Sequence, residues 1–280
     1  MTRREVGFLV ALGIAFAPAL VALSRAWSAT EYQSHGYFVP FVAAWIAWSA
    51  RGRLARLPRA RDARGALLLG AALVLYVGSL LASSASGQGL ALVAALTGGG
   101  WFLRGTRHLR ALAFPLAFLL FMVPIPPDWL APVVVRLLDF VTSASVRLLQ
   151  AAGVAVGREG NVILIPGGQQ LFVAEACSGL TSLVTLTPIG VLIAWLTPLS
   201  PARRLLAVAL VVPVAMAANL LRILVTVLGA GAWGADVMTG DPVHTLLGLG
   251  VYAVGCLGLL AAARALASPP VSPRAQAGAH

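Results

Sequence analysis

The stretch Arg158–Leu183, REGNVILIPGGQQLFVAEACSGLTSL, decides how the chain is read. The sequence on either side is mostly apolar and helix-forming, whereas this stretch alternates. Its pattern predicts two short strands, at 161–166 and 169–174, bounded by turn residues. Gly167 and Gly168 fall between them as a hairpin turn. The second strand leads into Glu175, Ala176, Cys177, Ser178 and Gly179, and a long apolar helix is predicted from there. A hairpin that delivers a thiol to the start of an apolar helix makes Cys177 the first candidate for chemistry.

Working outward, the composition sets the class. Hydrophobic residues make up 59% of the 280 and charged residues only 10%, with a mean hydropathy of +0.90. A soluble domain carries about 25% charged residues, so this is an all-α polytopic membrane protein. The net charge of +11 comes entirely from arginine, as the chain has no lysine. These arginines fall between apolar runs, so they report orientation in a bilayer rather than a nucleic-acid partner. Two cysteines, Cys177 and Cys256, offer neither a disulfide framework nor metal-ligand spacing. Cys256 lies deep in an apolar run and reads as a small packing residue. The four histidines (His35, His108, His244 and His280) are scattered, so no metal is expected. No cofactor is expected either: Gly98-Gly99-Gly100 lies inside an apolar run without a following Lys-Ser/Thr.

Eight apolar runs are candidates to cross: 6–24, 36–50, 66–84, 87–103, 109–125, 180–197, 204–230 and 243–264. A crossing helix needs about 20 residues, so 36–50 is short. The stretch 128–156 mixes apolar residues with Asp128, Arg136, Asp139, Arg147 and Gln150. It reads as an amphipathic helix at the interface or packed into the bundle, with a ninth crossing there as the alternative. The expected fold is therefore about eight transmembrane helices, one amphipathic interfacial helix and a short outer-side β-hairpin. A single integral membrane domain would occupy 1–267, followed by a disordered cytoplasmic tail, SPPVSPRAQAGAH, at 268–280.

Arginine counts give the sidedness. With a cytoplasmic N-terminus, Arg3, Arg4, the loops 51–65, 104–110 and 198–205, and the tail place 15 of 20 arginines inside. Seven of the nine acidic residues then fall outside, and so do the hairpin and Cys177. The run 204–230 would travel outward and bury Arg222 about 12 Å below its outer end, at 1.5 Å per residue. The last run would start outside, with Asp241 as N-cap, Pro242 in the first turn and His244 just after. Cys177, Arg222 and His244 thus converge on one depth near the outer leaflet.

Each residue type suits acyl transfer. Amides at a helix start, near Ser178 and Gly179, favour a thiolate at Cys177 and can hold an oxyanion. Glu175 is an expensive neighbour for a purely structural strand at a membrane surface. Arg222, in ANLLRILVTVL, lies inside an apolar span, where an arginine costs about 2.5–3.5 kcal/mol and faces a partner or snorkels to the headgroups. Asn219, three residues earlier, shares its helical face. In a first helical turn, His244 has its imidazolium disfavoured by the dipole and can accept a proton.

Several segments together resemble the exosortase/archaeosortase family of membrane-embedded cysteine transpeptidases. They are EYQSHGYFVPFVAAWIAW at 31–48, FPLAFLLFMVPIPPDW at 114–129, GREGNVILIP followed by VAEACSGLTSL, ANLLRI at 218–223, and His244 at a helix start. The resemblance covers most of the chain and implies Cys177 as acyl-thioester nucleophile, Arg222 as proton donor or oxyanion partner, and His244 as third catalytic residue. It implies protein substrates with a tripartite C-terminal tail: a short motif such as Pro-Glu-Pro, a transmembrane helix and an arginine cluster. It further implies cleavage at the outer face of a bacterial inner membrane, among membrane lipids, and transfer to a surface lipid or glycan. Thr181 departs from the larger polar or basic residue that many relatives place after Cys-Ser-Gly-Leu, which points to a subfamily. Three other activities compete: a polysaccharide-precursor transporter, a non-catalytic assembly scaffold, and a protease releasing its product to water. Only the first two would tolerate loss of the thiol.

Overall fold

The computed structural model describes residues 3–165, 169–173 and 179–267. The chain packs as two compact units that divide at the Ala131–Pro132 peptide bond.

The first unit contains α1 (Arg3–Ala15), α2 (Ala17–Ala29), a 3-10 helix (Glu31–Tyr37), α3 (Val39–Ser49), α4 (Arg51–Ala55), α5 (Ala63–Leu81), α6 (Ala85–Arg104), α7 (Thr106–Ala111), α8 (Ala113–Phe118) and a second 3-10 turn (Leu119–Met122). Helices α1 and α2 form one bent element, with 59° between them. Pro18 lies in the first turn of α2, and its missing N–H breaks the ladder there. The Tyr76 hydroxyl donates to the Ala15 carbonyl at this bend (2.9 Å), and its ring stacks on the buried Phe16. Helices α5 and α6 approach backbone to backbone. A Cβ at Gly98 would come within 2.9 Å of the Gly65 carbonyl oxygen, and one at Gly65 within 2.6 Å of the Gly98 carbonyl oxygen. Asp62 fixes the same end: it caps α5 through the Arg64 N–H and accepts from Trp101 and from Thr106 of α7.

The Ser34-His35-Gly36 segment forms a clip. Gln33 donates to the Ile125 carbonyl, Trp27 donates to the Met122 carbonyl (2.7 Å), and Gly36 leaves room for the Trp27 ring. His35 sets Nδ1 against the Tyr32 carbonyl (2.9 Å) and Nε2 against the Phe121 carbonyl (3.0 Å). Burial lowers its pKa from 6.5 more than the two carbonyls raise it. The unfolded chain therefore takes up this proton first. The stability held by neutral His35 is complete above pH 6.5 and is lost as pH falls through the lower folded value. Thermal unfolding from pH 7.5 to 5 is expected to show a steeper acid loss for wild type than for His35→Gln, which cannot titrate there.

Helix α9 (Pro127–Ala151) crosses the division between the units. After it come β1 (Gly157–Glu159), β2 (Val162–Ile165), β3 (Gln169–Phe172), α10 (Leu180–Leu196), α11 (Pro201–Ala209), α12 (Val211–Trp233), α13 (Ala235–Thr239) and α14 (Asp241–Leu266). The strands make one antiparallel sheet in the order β1-β2-β3. The expected hairpin is β2–β3, with Ile163 opposite Leu171 and both buried. The sequence pattern missed β1, which pairs Glu159 with Val162 across a two-residue connection. Gly160 leads that connection with φ +58°, as a type II′ turn requires. Arg158 fastens the sheet to α9 by donating to Asp139 and Ser143. Gln169 fastens it to α13 by accepting from the Ala235 N–H (3.0 Å). Residues 166–168, the expected turn, and 268–280, the expected tail, lie outside the described residues.

Among the described residues, four helical elements can cross a membrane by length and composition: Ala63–Leu81, Pro127–Ala151, Pro201–Trp233 and Asp241–Leu266. The bent pair Glu5–Ala15 and Ala17–Ala29 makes a fifth if it counts as one span. The chain is a multi-pass membrane protein on this evidence of four to five spans, and the expected eight are not reached. The apolar runs are real, but several are broken or short, and α6, unbroken over 20 residues, is not apolar enough to count. The run 36–50 yields α3 with 11 residues, too short at 1.5 Å each. The run 109–125 is cut into α7, α8 and a 3-10 turn. Helix α10 has only 17 residues. The stretch expected as an interfacial helix is instead a continuous 25-residue helix that meets the criteria for a span. Leu130, Val134, Leu138, Val141, Val146 and Leu149 form its buried stripe, while Val135 (66% exposed) and Phe140 (56%) sit on the outside. Arg136, Asp139 and Arg147 are exposed beside them, so the helix keeps the amphipathic character expected from the sequence while it also has the length and composition of a span.

Candidate active site

Helices α10, α12 and α14 pack on one another in the second unit around Leu186, Val211, Ala215 and Leu259. The polar side chains of the candidate site emerge from this apolar bundle. Asn219 and Arg222 are three residues apart on α12 and share a face. Asn219 is fully buried, and Arg222 is half-buried.

Arg222 Nη2 lies 2.7 Å from His244 Nε2. A guanidinium has donors only, so the imidazole nitrogen facing it must accept. That contact holds His244 in its neutral form with Nε2 unprotonated. His244 is the fourth residue of α14, and its N–H bonds the Gly240 carbonyl (2.9 Å). Gly240, not Asp241, is the N-cap; Asp241 stands one residue inside the helix, where its carboxylate still complements the dipole.

Two glycines shape the space around the pair. Gly179 caps α10 with φ +86°, and a Cβ there would sit 3.2 Å from Asn219 Nδ2. Gly248, one turn after His244, leaves room for the guanidinium: its Cβ would lie 3.6 Å from Arg222 Nη2. Gly248 escaped the sequence reading, although its i+4 spacing from His244 is the signal that marks it. At Gly179, alanine is expected to cost about 1–2 kcal/mol for the left-handed backbone alone. Chemical unfolding in detergent checks this, with Gly7→Ala, where an added Cβ meets nothing within 4 Å, as the control.

The fold thus brings together Gly179, Asn219, Arg222 and His244 from three helices. Glu175, Cys177 and Ser178 lie outside the described residues. The arrangement offers a fixed positive charge beside a neutral base, both partly shielded from water. Such a pair can stabilise a developing oxyanion and move a proton.

The family model for transmembrane exosortases matches residues 27–261. The chain belongs to the transmembrane exosortase family. Neither the curated proteins nor the solved structures give a match to it. The matched region of this exosortase takes in the His35 clip, the hairpin and the Arg222–His244 pair, and it begins near the end of α2.

Proposed function

We propose that this exosortase cleaves the C-terminal sorting tail of exported surface proteins through an acyl-thioester on Cys177 and passes the acyl group to a surface lipid or glycan. The observation that carries the reading is the 2.7 Å contact between Arg222 and His244. Covalent geometry tethers Cys177 within about 7 Å of Gly179, which packs beside Asn219 one turn from Arg222.

His244 Nε2 takes the thiol proton as the guanidinium turns from the imidazole to the scissile carbonyl. The thiolate attacks, and Arg222 with the amides at the α10 start holds the oxyanion. Collapse breaks the C–N bond, and the imidazolium protonates the leaving amine. An acceptor hydroxyl or amine then gives its proton to His244 and attacks the thioester, which releases the thiolate. Water in place of the acceptor gives hydrolysis. Arginine, with a pKa above 12, is a poor proton donor and serves as the electrostatic partner.

Substrates would carry a short motif, a membrane helix and an arginine cluster. In this reading the site faces the periplasmic side of a bacterial inner membrane. A substrate helix with its arginines inside presents its motif at that depth.

The test is co-expression with a reporter that bears such a tail. Wild type is expected to remove the tail; a transporter or scaffold would leave it intact across a panel of tails. Gly248→Leu supplies a second expectation. The new side chain displaces the guanidinium, so processing should fall on the order of 10²-fold, as for a misplacement of about 1 Å. The helix itself should not weaken, because leucine is the better helix former. Reporter immunoblots alongside thermal unfolding separate the two effects.

A further inference from the structure

The sheet β1-β2-β3 has two edges, and the sequence treats them differently. A sheet edge offers unpaired N–H and C=O groups, which proteins blunt with charge or cover with other elements. On β1 both devices are present. Arg158 and Glu159 are charged, and the Arg158 side chain is tied to Asp139 and Ser143 of α9. On β3, Gln169-Gln170-Leu171-Phe172 contains neither a charge nor a proline.

The register identifies the groups that β3 leaves open. The Val173 N–H donates to the Asn161 carbonyl (2.9 Å), so residues 169, 171 and 173 turn their backbone groups toward β2. Gln170 and Phe172 turn theirs away from β2, and those groups have no hydrogen-bond partner among the described residues. Both residues are exposed, Phe172 at 68%, whereas Leu171 and Val173 on the other face are buried.

The position of this edge selects its occupant. Gln169 accepts from the Ala235 N–H, and its cross-strand partner Ile165 lies against Gly231, where an added Cβ would come within 3.9 Å. Ten residues after Gln169, Gly179 packs against Asn219. Asn219 stands twelve residues before Gly231 on α12, about 18 Å at 1.5 Å per residue. Strand β3 therefore leads from the end of α12 toward the depth of Arg222 and His244. Two outward residues are far too small an edge for a stable dimer, which buries on the order of 1,200–2,000 Å². They suit a short extended peptide held at a cleavage site.

We propose that the β3 edge is the docking strand for the substrate: the extended segment beside the scissile bond adds as a fourth strand and pairs its backbone with Gln170 and Phe172. This rests on the tail-cleavage reading given above. In such a pairing only every second substrate residue exchanges bonds with β3, so the residues between them tolerate a missing N–H.

Gln170→Pro isolates the edge. The N–H it removes faces away from β2, so the β2–β3 ladder keeps all its bonds. The experiment is fluorescence anisotropy of short labelled peptides, each spanning the motif of one tail in the reporter panel, with the full chain in detergent. It uses Cys177→Ala protein, so that binding is read without turnover. The tightest peptide is then N-methylated one residue at a time. N-methylation is expected to weaken binding about fivefold at every second residue, the net effect of one hydrogen bond, and hardly at all between them. Gln170→Pro should weaken the unmodified peptide by a similar factor and flatten the alternation, with thermal unfolding unchanged. Binding of no panel member overturns the proposal, and so does an N-methyl series without alternation, which needs no edge variant to fold. A dimer that Gln170→Pro dissociates while peptide binding is unaffected also overturns it, since a second copy would then hold the edge. Alternating binding without an adduct on Cys177 in wild type upholds the docking strand and sinks the acyl-enzyme reading instead.

Discussion

Cys177→Ala is expected to abolish tail removal while the protein accumulates and unfolds as wild type does. Removal of a nucleophile from a group that works as a unit costs up to about 10⁶-fold in rate, far below what an immunoblot detects. Cys177→Ser is the sharper variant. It keeps size and polarity, but an ordinary hydroxyl is scarcely ionised near neutral pH, whereas a thiol at a helix start gains thiolate character. Uncut reporter should accumulate with both variants. Cys256 is the internal control: it packs against the Leu186–Leu259 cluster, and Cys256→Ala should process the reporter normally at a modest loss of stability. A transporter would be indifferent to Cys177→Ser.

The second large effect is expected at Arg222. Arg222→Lys keeps the charge but replaces a planar fork with a point charge on a flexible stem, so it loses the aimed donor at His244. A fall of about 10²–10³ in turnover is expected, the range seen when one oxyanion donor is removed. An arginine that merely snorkels to headgroups would tolerate lysine, because both side chains snorkel. His244→Gln separates the roles further. Glutamine can still accept from Arg222, so the pair's geometry survives while proton transfer does not. The residual rate in His244→Gln should therefore rise with pH as the thiol ionises without help. Initial rates of reporter cleavage in reconstituted vesicles between pH 6 and 9 measure this.

Part of the candidate site was legible in the sequence. The Arg222–His244 contact joins residues 22 positions apart, which the sequence expected at one depth with Cys177, a residue outside the described ones. Arg222 drew notice because a charge inside an apolar helix must find a partner. The hairpin was legible because Gly167 and Gly168 separate two short runs, 162–165 and 169–172, in otherwise helical surroundings. The third strand was not: Gly157–Glu159 is three residues long and contains no β-branched side chain. The eight-span count was not confirmed, for a different reason. Hydropathy marks apolar stretches but not where a helix stops. Within 109–125 the helix breaks at Leu112, between α7 and α8, passes into a 3-10 turn at Leu119, and meets a run of helix-breaking prolines after Met122. Helix α9 departs in the opposite direction. Its charged residues suggested an interface, and Arg136, Asp139 and Arg147 are exposed, yet the helix is also long and apolar enough to count as a span, the alternative reading of that stretch. The glycines at 98–100 carried no chemistry in sequence, and the fold gives the first two a place: Gly98 against α5 and Gly99 beneath the Phe8 ring.

The central claim is a covalent acyl-enzyme on Cys177, and intact-protein mass spectrometry tests it most directly. Wild type is mixed with a tail-bearing substrate, quenched in acid within the first turnover, then digested and mapped. The account predicts a substrate fragment attached at Cys177, released by neutral hydroxylamine and absent from Cys177→Ala. Tail removal by wild type with no adduct at Cys177, or with equal processing by Cys177→Ala, would contradict it.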